Sequence, residues 1–137
     1  MSCRQIVLKN RIEQIRDMAA FLEEIFNELN VSMVNAFNIN LAVEEAVTNV
    51  IMYAFPQDEE HDFILSVEDS ENELIFRIID DGVAFDPTVQ PDADVSLSLE
   101  DRPIGGLGIF LIRQMMKSVE YQRVDGKNIL TIVKLLD

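Results

Sequence analysis

The run from Met33 to Ala54 limits the folds open to this chain more than any other stretch. It is helical in pattern, it is the longest such element, and Pro56 stops it. The residue before a proline is pushed out of helical geometry, so the helix must end close to Ala54. At about 100° per residue, Ala42, Tyr53, Ala46, Val50, Val43, Ala54, Val47 and Ile51 fill a broad apolar arc, while Asn40, Glu44 and Thr48 gather on the polar side. A helix with so wide an apolar arc needs a second layer to lie on. Glu45 and Asn49 fit neither group. They stand one turn apart, about 40° from each other, on a half-apolar strip. A carboxylate and an amide are costly to bury without partners. The pair therefore either faces a ligand, a metal ion or water at a pocket edge, or marks the rim of the apolar face, and periodicity leaves both open. Glu44, by contrast, is predicted to be solvated.

The second layer is legible on either side of that helix. Arg4 to Lys9 reads as a strand, and Asn10 three residues before Glu13 forms an Asn-x-x-Glu pattern that predicts a capped helix start. Ile12, Ile15, Met18, Ala19, Leu22, Ile25, Phe26 and Leu29 then recur at helical spacing. From Asp62 to Asp69 and from Glu73 to Asp80 apolar residues alternate, which predicts a hairpin turning at Ser70 to Asn72. Residues 83–104 are acidic, proline-bearing and aperiodic, too long for an ordinary connection, and are expected to be disordered, a functional lid, or both. Gly105 to Lys117 opens with glycines and continues as an apolar helix. Val119 to Val124 and Lys127 to Leu136 predict a second hairpin around Asp125-Gly126. The order predicts an α+β fold, a two-layer α/β sandwich with helices on one face of a mixed β-sheet.

With 137 residues, 26% of them charged and 48% hydrophobic, the chain is expected to form one soluble domain over 1–137. Its formal charge of −14 repels a phosphate backbone, which argues against direct nucleic-acid binding and suits a basic protein partner or plain solubility equally. Cys3 is the one cysteine and His61 the one histidine. That inventory excludes an intrachain disulfide and makes a zinc site or a Ser-His-Asp triad hard to assemble. His61, in an acidic run, is expected to be a solvated loop residue. No signal core precedes the fold, and no stretch approaches the roughly 20 apolar residues of a membrane span. The expectation is an unexported, membrane-free protein.

Two further places carry chemistry. Asp80 shares the strand face of Leu74, Phe76 and Ile78, so it is predicted to point toward the helices, where a buried acid needs a donor such as a purine amino group. Gly82 would let a flat ring approach the backbone, although Asp-Asp-Gly is also an ordinary end to a strand. Gly105-Gly106-Leu107-Gly108 opens a helix, where exposed N–H groups and the helix dipole suit an anion. No Gly-Lys-Ser/Thr follows, so this is not a P-loop.

These sites, in this order, resemble the Bergerat-type ATP-binding fold shared by DNA gyrase, the ninety-kilodalton heat-shock chaperone, sensor histidine kinases and mismatch-repair ATPases. The likeness is strongest to the small anti-sigma-factor serine/threonine kinases. Glu-Ala-Val-Thr-Asn at 45–49 looks like their N box, Asp-Asp-Gly-Val-Ala-Phe-Asp-Pro at 80–87 like their first glycine box, and Gly-Gly-Leu-Gly-Ile-Phe-Leu-Ile-Arg at 105–113 like their second. The ending from Val119 through Leu130 is also similar.

The resemblance implies ATP and Mg²⁺ as cofactors, with Asn49 as the Mg²⁺ ligand and Glu45 as general base. Asp80 would bond the adenine amino group, Gly82 and Ala84 would belong to the base-side box, and Gly106, Leu107 and Gly108 would offer N–H groups to the phosphates. Arg102 in the lid is a further candidate cation. It also implies a cytoplasmic kinase that phosphorylates an anti-anti-sigma antagonist of the STAS type and sequesters a sigma factor. Many relatives are dimers, which leaves a homodimer open. Two positions depart from the pattern. Ala84 replaces a second glycine, and Tyr53 replaces the histidine that follows the N box in many relatives. The latter keeps a second reading open, a nucleotide-binding interaction module without catalysis.

Overall fold

A computed structural model describes residues 2–89 and 112–136. In chain order these form β1 (Ser2–Lys9), α1 (Gln14–Leu29), α2 (Met33–Asn49), a π-helical turn (Val50–Ala54), β2 (Asp62–Ser70), β3 (Glu73–Asp80), a 3-10 turn (Pro87–Val89), β4 (Ser118–Val124) and β5 (Lys127–Leu135). Residues 112–115 are also helical. They fall within the helix expected from Gly105 to Lys117, which ends two residues earlier than expected and of which residues 105–111 lie outside the described residues.

The five strands form one sheet in the order β1-β2-β3-β5-β4. Alternation along each strand sends Leu8, Phe63, Leu65, Val67, Leu74, Phe76, Ile78, Leu130 and Ile132 to the same face. There they meet Met18, Leu22, Ile25 and Phe26 of α1 and Ile39, Ala42, Val43, Ala46 and Val47 of α2. Phe63 and Phe76 are essentially fully buried, each a gain of roughly 1.5–3 kcal/mol over exposure. The helices thus cover one face, as expected. Among the described residues no helix is long and apolar enough to cross a membrane.

The sheet is antiparallel at every described pairing and not mixed. The Asp125-Gly126 turn, with both residues at positive φ (51° and 77°), folds β5 back between β3 and β4. β3 and β4 run in the same direction but are not neighbours, so no parallel ladder forms.

Two helix boundaries also differ from expectation. Asn10 does not cap α1. It donates through Nδ2 to the Glu59 carbonyl (2.8 Å) and accepts from the His61 amide (2.8 Å), fastening the end of β1 to the loop before β2. α1 starts at Gln14, whose side-chain carbonyl accepts from Lys9 N at 2.9 Å. The long helix keeps α geometry to Asn49 and then widens into the π turn. Its start is conventional, with Ser32 accepting from Asn35 N at 3.1 Å. His61 is half-buried, stacked on Phe55 at 4.5 Å between ring centres and bonded to Glu59.

Candidate functional site

A cleft opens where the end of α2 and the π turn meet the ends of β3 and β5. Ala46, Val50, Ile78 and Leu130 form apolar walls, Phe85, Pro87 and Tyr121 close one side, and Asn49, Asp80 and Asn128 bring the polar groups. Asn49 and Asp80, singled out in the sequence as two separate sites, both line the cleft, 31 residues apart in the chain. Asn49 is buried at 6% exposure and is the last residue of regular α2. The π turn that begins directly after it is the kind of helix irregularity that concentrates at functional sites.

Asp80 is buried, and Oδ1 accepts from Gly82 N and Asn128 Nδ2, both at 2.9 Å. Burial pushes its carboxyl above the ordinary range, while those two bonds and the Arg123 guanidinium oppose the rise. Asn128 lies directly opposite Asp80 in the β3–β5 ladder. Its Nδ2 also donates to the Val83 carbonyl (2.8 Å), and its Oδ1 accepts from the Tyr121 hydroxyl (2.5 Å) and Arg123 (3.0 Å). Arg123 donates as well to the Gly82 carbonyl at 2.8 Å. The sheet thus holds the base of the 83–104 segment. Asn128, Tyr121 and Arg123 are site residues that sequence reasoning missed, although Asn128 stands on the alternating apolar face with Leu130 and Ile132, which was the available signal.

Gly82 is required by protein packing. A Cβ there would lie 2.2 Å from the Ala54 carbonyl oxygen and 2.7 Å from its carbon, and the neighbouring Val83 N donates to that same oxygen at 2.9 Å. The strand end is thereby latched to the end of the π turn. Ala84 is exposed and does not line the cleft. Phe85 stacks on Tyr53 at 5.6 Å, 28° between planes, and Asp86 Oδ1 caps the 3-10 turn through Thr88 N at 2.9 Å. Arg113 donates to the Thr88 carbonyl. Gly105, Gly106, Leu107, Gly108, Arg102 and most of the lid expected at 83–104 lie outside the described residues.

Glu45, one turn before Asn49, is half-buried and does not line the cleft itself. Its Oε1 is buried and has no hydrogen-bond partner among the described residues. Burial, with the like charge of Glu44 adding to it, pushes its carboxyl up to about 7. Glu44 is exposed, as expected.

Apolar side chains beside the Asp80 carboxylate are the chemistry that would suit a flat base bearing an amino group. A cage of three or more His, Cys, Asp or Glu is absent among the described residues. Asn49 would offer a divalent cation one amide oxygen, which suits Mg²⁺, an ion commonly bound by few protein ligands.

Fold and cleft together define a two-layer α+β domain that sets a buried carboxylate and two amides beside an apolar slot. The sequence matches the histidine kinase-like ATPase domain over residues 8–134, and the chain belongs to that family. It is 34% identical over 96 residues to the serine/threonine-protein kinase BtrW of Bordetella bronchiseptica, a match covering 70% of this chain and 68% of that one. It is 31% identical to the serine-protein kinase RsbW of Listeria monocytogenes, over 67% of this chain and 61% of that one. Among solved structures, it is similar to the RsbU and RsbW domains of a Mycobacterium tuberculosis protein, with a TM-score of 0.71 at 16% identity over 99% of this chain and 33% of that one.

Proposed function

We propose that this protein is an ATP-dependent serine/threonine kinase and anti-sigma factor, working in the cytoplasm on an anti-anti-sigma antagonist of the STAS type and sequestering a sigma factor when the antagonist is absent. The observation that carries the reading is the joining of Asn49 and Asp80 in one cleft with Glu45 a turn behind. The kinase names of relatives at 34% and 31% identity support it.

In this reading the adenine lies in the apolar slot with its amino group donating to Asp80. Mg²⁺, when bound, neutralises phosphate charge, and Asn49 is the residue that would hold it. Glu45 takes the proton from the acceptor hydroxyl as the new O–P bond forms and the bond to ADP breaks. Gly106, Leu107 and Gly108 supply N–H groups to the phosphates, Gly82 and Ala84 shape the hinge, and 83–104 is the lid of a single module spanning 1–137. Incubation with γ-labelled ATP and the antagonist tests the reading. Transfer by the wild type that is reduced at least a hundredfold in Glu45→Ala is expected, and equal transfer by both proteins rejects Glu45 as the base.

The Tyr53–Phe85 stack favours one alternative, a non-catalytic nucleotide-binding module. Its signature is ATP binding lost in Asn49→Ala with no phosphate transfer under any condition. Self-association into a homodimer is part of the proposal, supported by the face of the sheet that no helix covers among the described residues. There Val7, Ile64, Ile79 and Ile129 line up in register across four strands.

A further inference from the structure

α2 is apolar on two faces. Its inward residues fill the core, but its outward residues Met33, Val34, Phe37 and Leu41 are 89%, 70%, 64% and 36% exposed. At about 100° per residue these four fall within one arc of about 100°, running along the first two turns and more of the helix. A surface helix ordinarily turns polar residues to water, and contiguous exposed apolar side chains mark an interaction site. Between this stripe and α1 lies a groove lined by Met18, Ala19, Phe37, Asn40, Leu41 and Glu44.

Each of the two polar residues of the groove offers an acceptor oxygen. Asn40 Oδ1 is buried and has no hydrogen-bond partner among the described residues. Glu44, one turn further on, is exposed and makes no ion pair among them. Glu44 is the charged residue of the groove's lining, and the chain as a whole carries a formal charge of −14. An apolar stripe ending in two unmatched acceptors on an acidic surface is complementary to an apolar stripe ending in a cation. A lipid surface bearing anionic headgroups would be repelled here, and a second copy would set acid against acid.

We propose that the α1–α2 groove docks an amphipathic, basic helix of a partner protein. Apolar side chains of that helix pack on Met33, Val34, Phe37 and Leu41, and a Lys or Arg one turn on reaches Asn40 Oδ1 and Glu44. This is the helix-in-groove mode of recognition. From Met33 to Glu44 the stripe is about 17 Å long at 1.5 Å per residue, enough for three turns of the partner. The groove shares no residue with the nucleotide cleft, so the inference stands whether or not the chain transfers phosphate.

The test uses the full chain and a fluorescein-labelled 18-residue synthetic helix with leucines on one face and lysines flanking them. The same peptide with glutamates for lysines and vesicles of phosphatidylcholine with phosphatidylglycerol serve as the other probes. Anisotropy should show the lysine helix bound by the wild type. The double variant Phe37→Ser with Leu41→Ser should bind it at least tenfold more weakly, with unchanged charge, thermal stability and ATP affinity. Glu44→Lys should weaken the lysine helix and strengthen the glutamate helix. Equal binding by wild type and double variant overturns the proposal, because the attraction would then be charge alone. So does Phe37-dependent binding to the vesicles, or a dimer seen by sedimentation that the double variant abolishes.

Discussion

Glu45 and Asp80 are both carboxylates lifted by burial, yet the structure treats them differently. Asp80 receives two N–H donors, and Glu45 has one oxygen with none among the described residues. The consequence for stability has a definite sign. The folded-state value of Glu45, about 7, lies above its ordinary 4.5. Between those pH values the folded chain binds more protons than the unfolded chain, so stability falls as pH rises through the window. Glu45→Gln removes that loss. Its Tm should exceed that of the wild type at pH 8 by roughly 3–5 °C, equivalent to about 1 kcal/mol for a half-solvated group, and the two curves should converge below pH 4.5. A wild type more stable than the variant at pH 8 would show that Glu45 is charged and paired. At Asn128 the expectation is a loss. Asn128→Leu strands the Tyr121 hydroxyl, the Val83 carbonyl and Asp80, a cost of about 3 kcal/mol to be read in a denaturant titration, together with weakened nucleotide binding. Asn49, Asp80 and Glu45 could be singled out from sequence because each breaks a period of apolar neighbours. Asn128 breaks one too, but its meaning depends on lying across from Asp80, and strand pairing is not written in local sequence.

At the scale of elements, the joint between the π turn and the end of β3 has the least tolerance. The Ala54 carbonyl accepts from Val83 N, and the same oxygen occupies the space a Gly82 side chain would need. Gly82→Ala should cost about 3 kcal/mol by overpacking, a fall in Tm of roughly 10 °C for a domain of this size. An unchanged melting curve would refute the tightness of that joint. Both hairpins, the length of the long helical run and the alternation of its partners were legible because periods of 2 and 3.6 are local properties. The start of α1 was misread because Asn10 had two competing uses, capping a helix or tying down a loop. Its bonds to Glu59 and His61, some 50 residues away, decided the matter. The widening of the helix after Asn49 left no trace in the pattern, since a π turn displaces the register by less than the breadth of the apolar arc.

At the scale of the whole molecule, the described helices cover one face of the sheet, and among the described residues the other is left to Val7, Ile64, Ile79 and Ile129, with Val7 56% exposed. If copies associate there, Ile79→Lys should turn a sedimenting dimer into a monomer without loss of helical signal. A dimer that survives the substitution would move the interface elsewhere. A net charge of −14 makes such self-association easier in salt, because screening shortens the repulsion between like-charged copies to about 10 Å at 0.1 M. The α+β class was legible from element order. That the sheet is antiparallel was not, because it depends on where the last hairpin inserts.

That insertion governs the order in which the molecule can be completed during synthesis. β5 lies between β3 and β4 and carries Asn128 and Leu130 of the cleft, so a nascent chain halted before Lys127 exposes the bare edge of β3 and has half a pocket. Until the ribosome has released those residues the edge is a template for other unfinished chains, and no ligand of the cleft can rescue them, because the wall that would grip it has not yet been made.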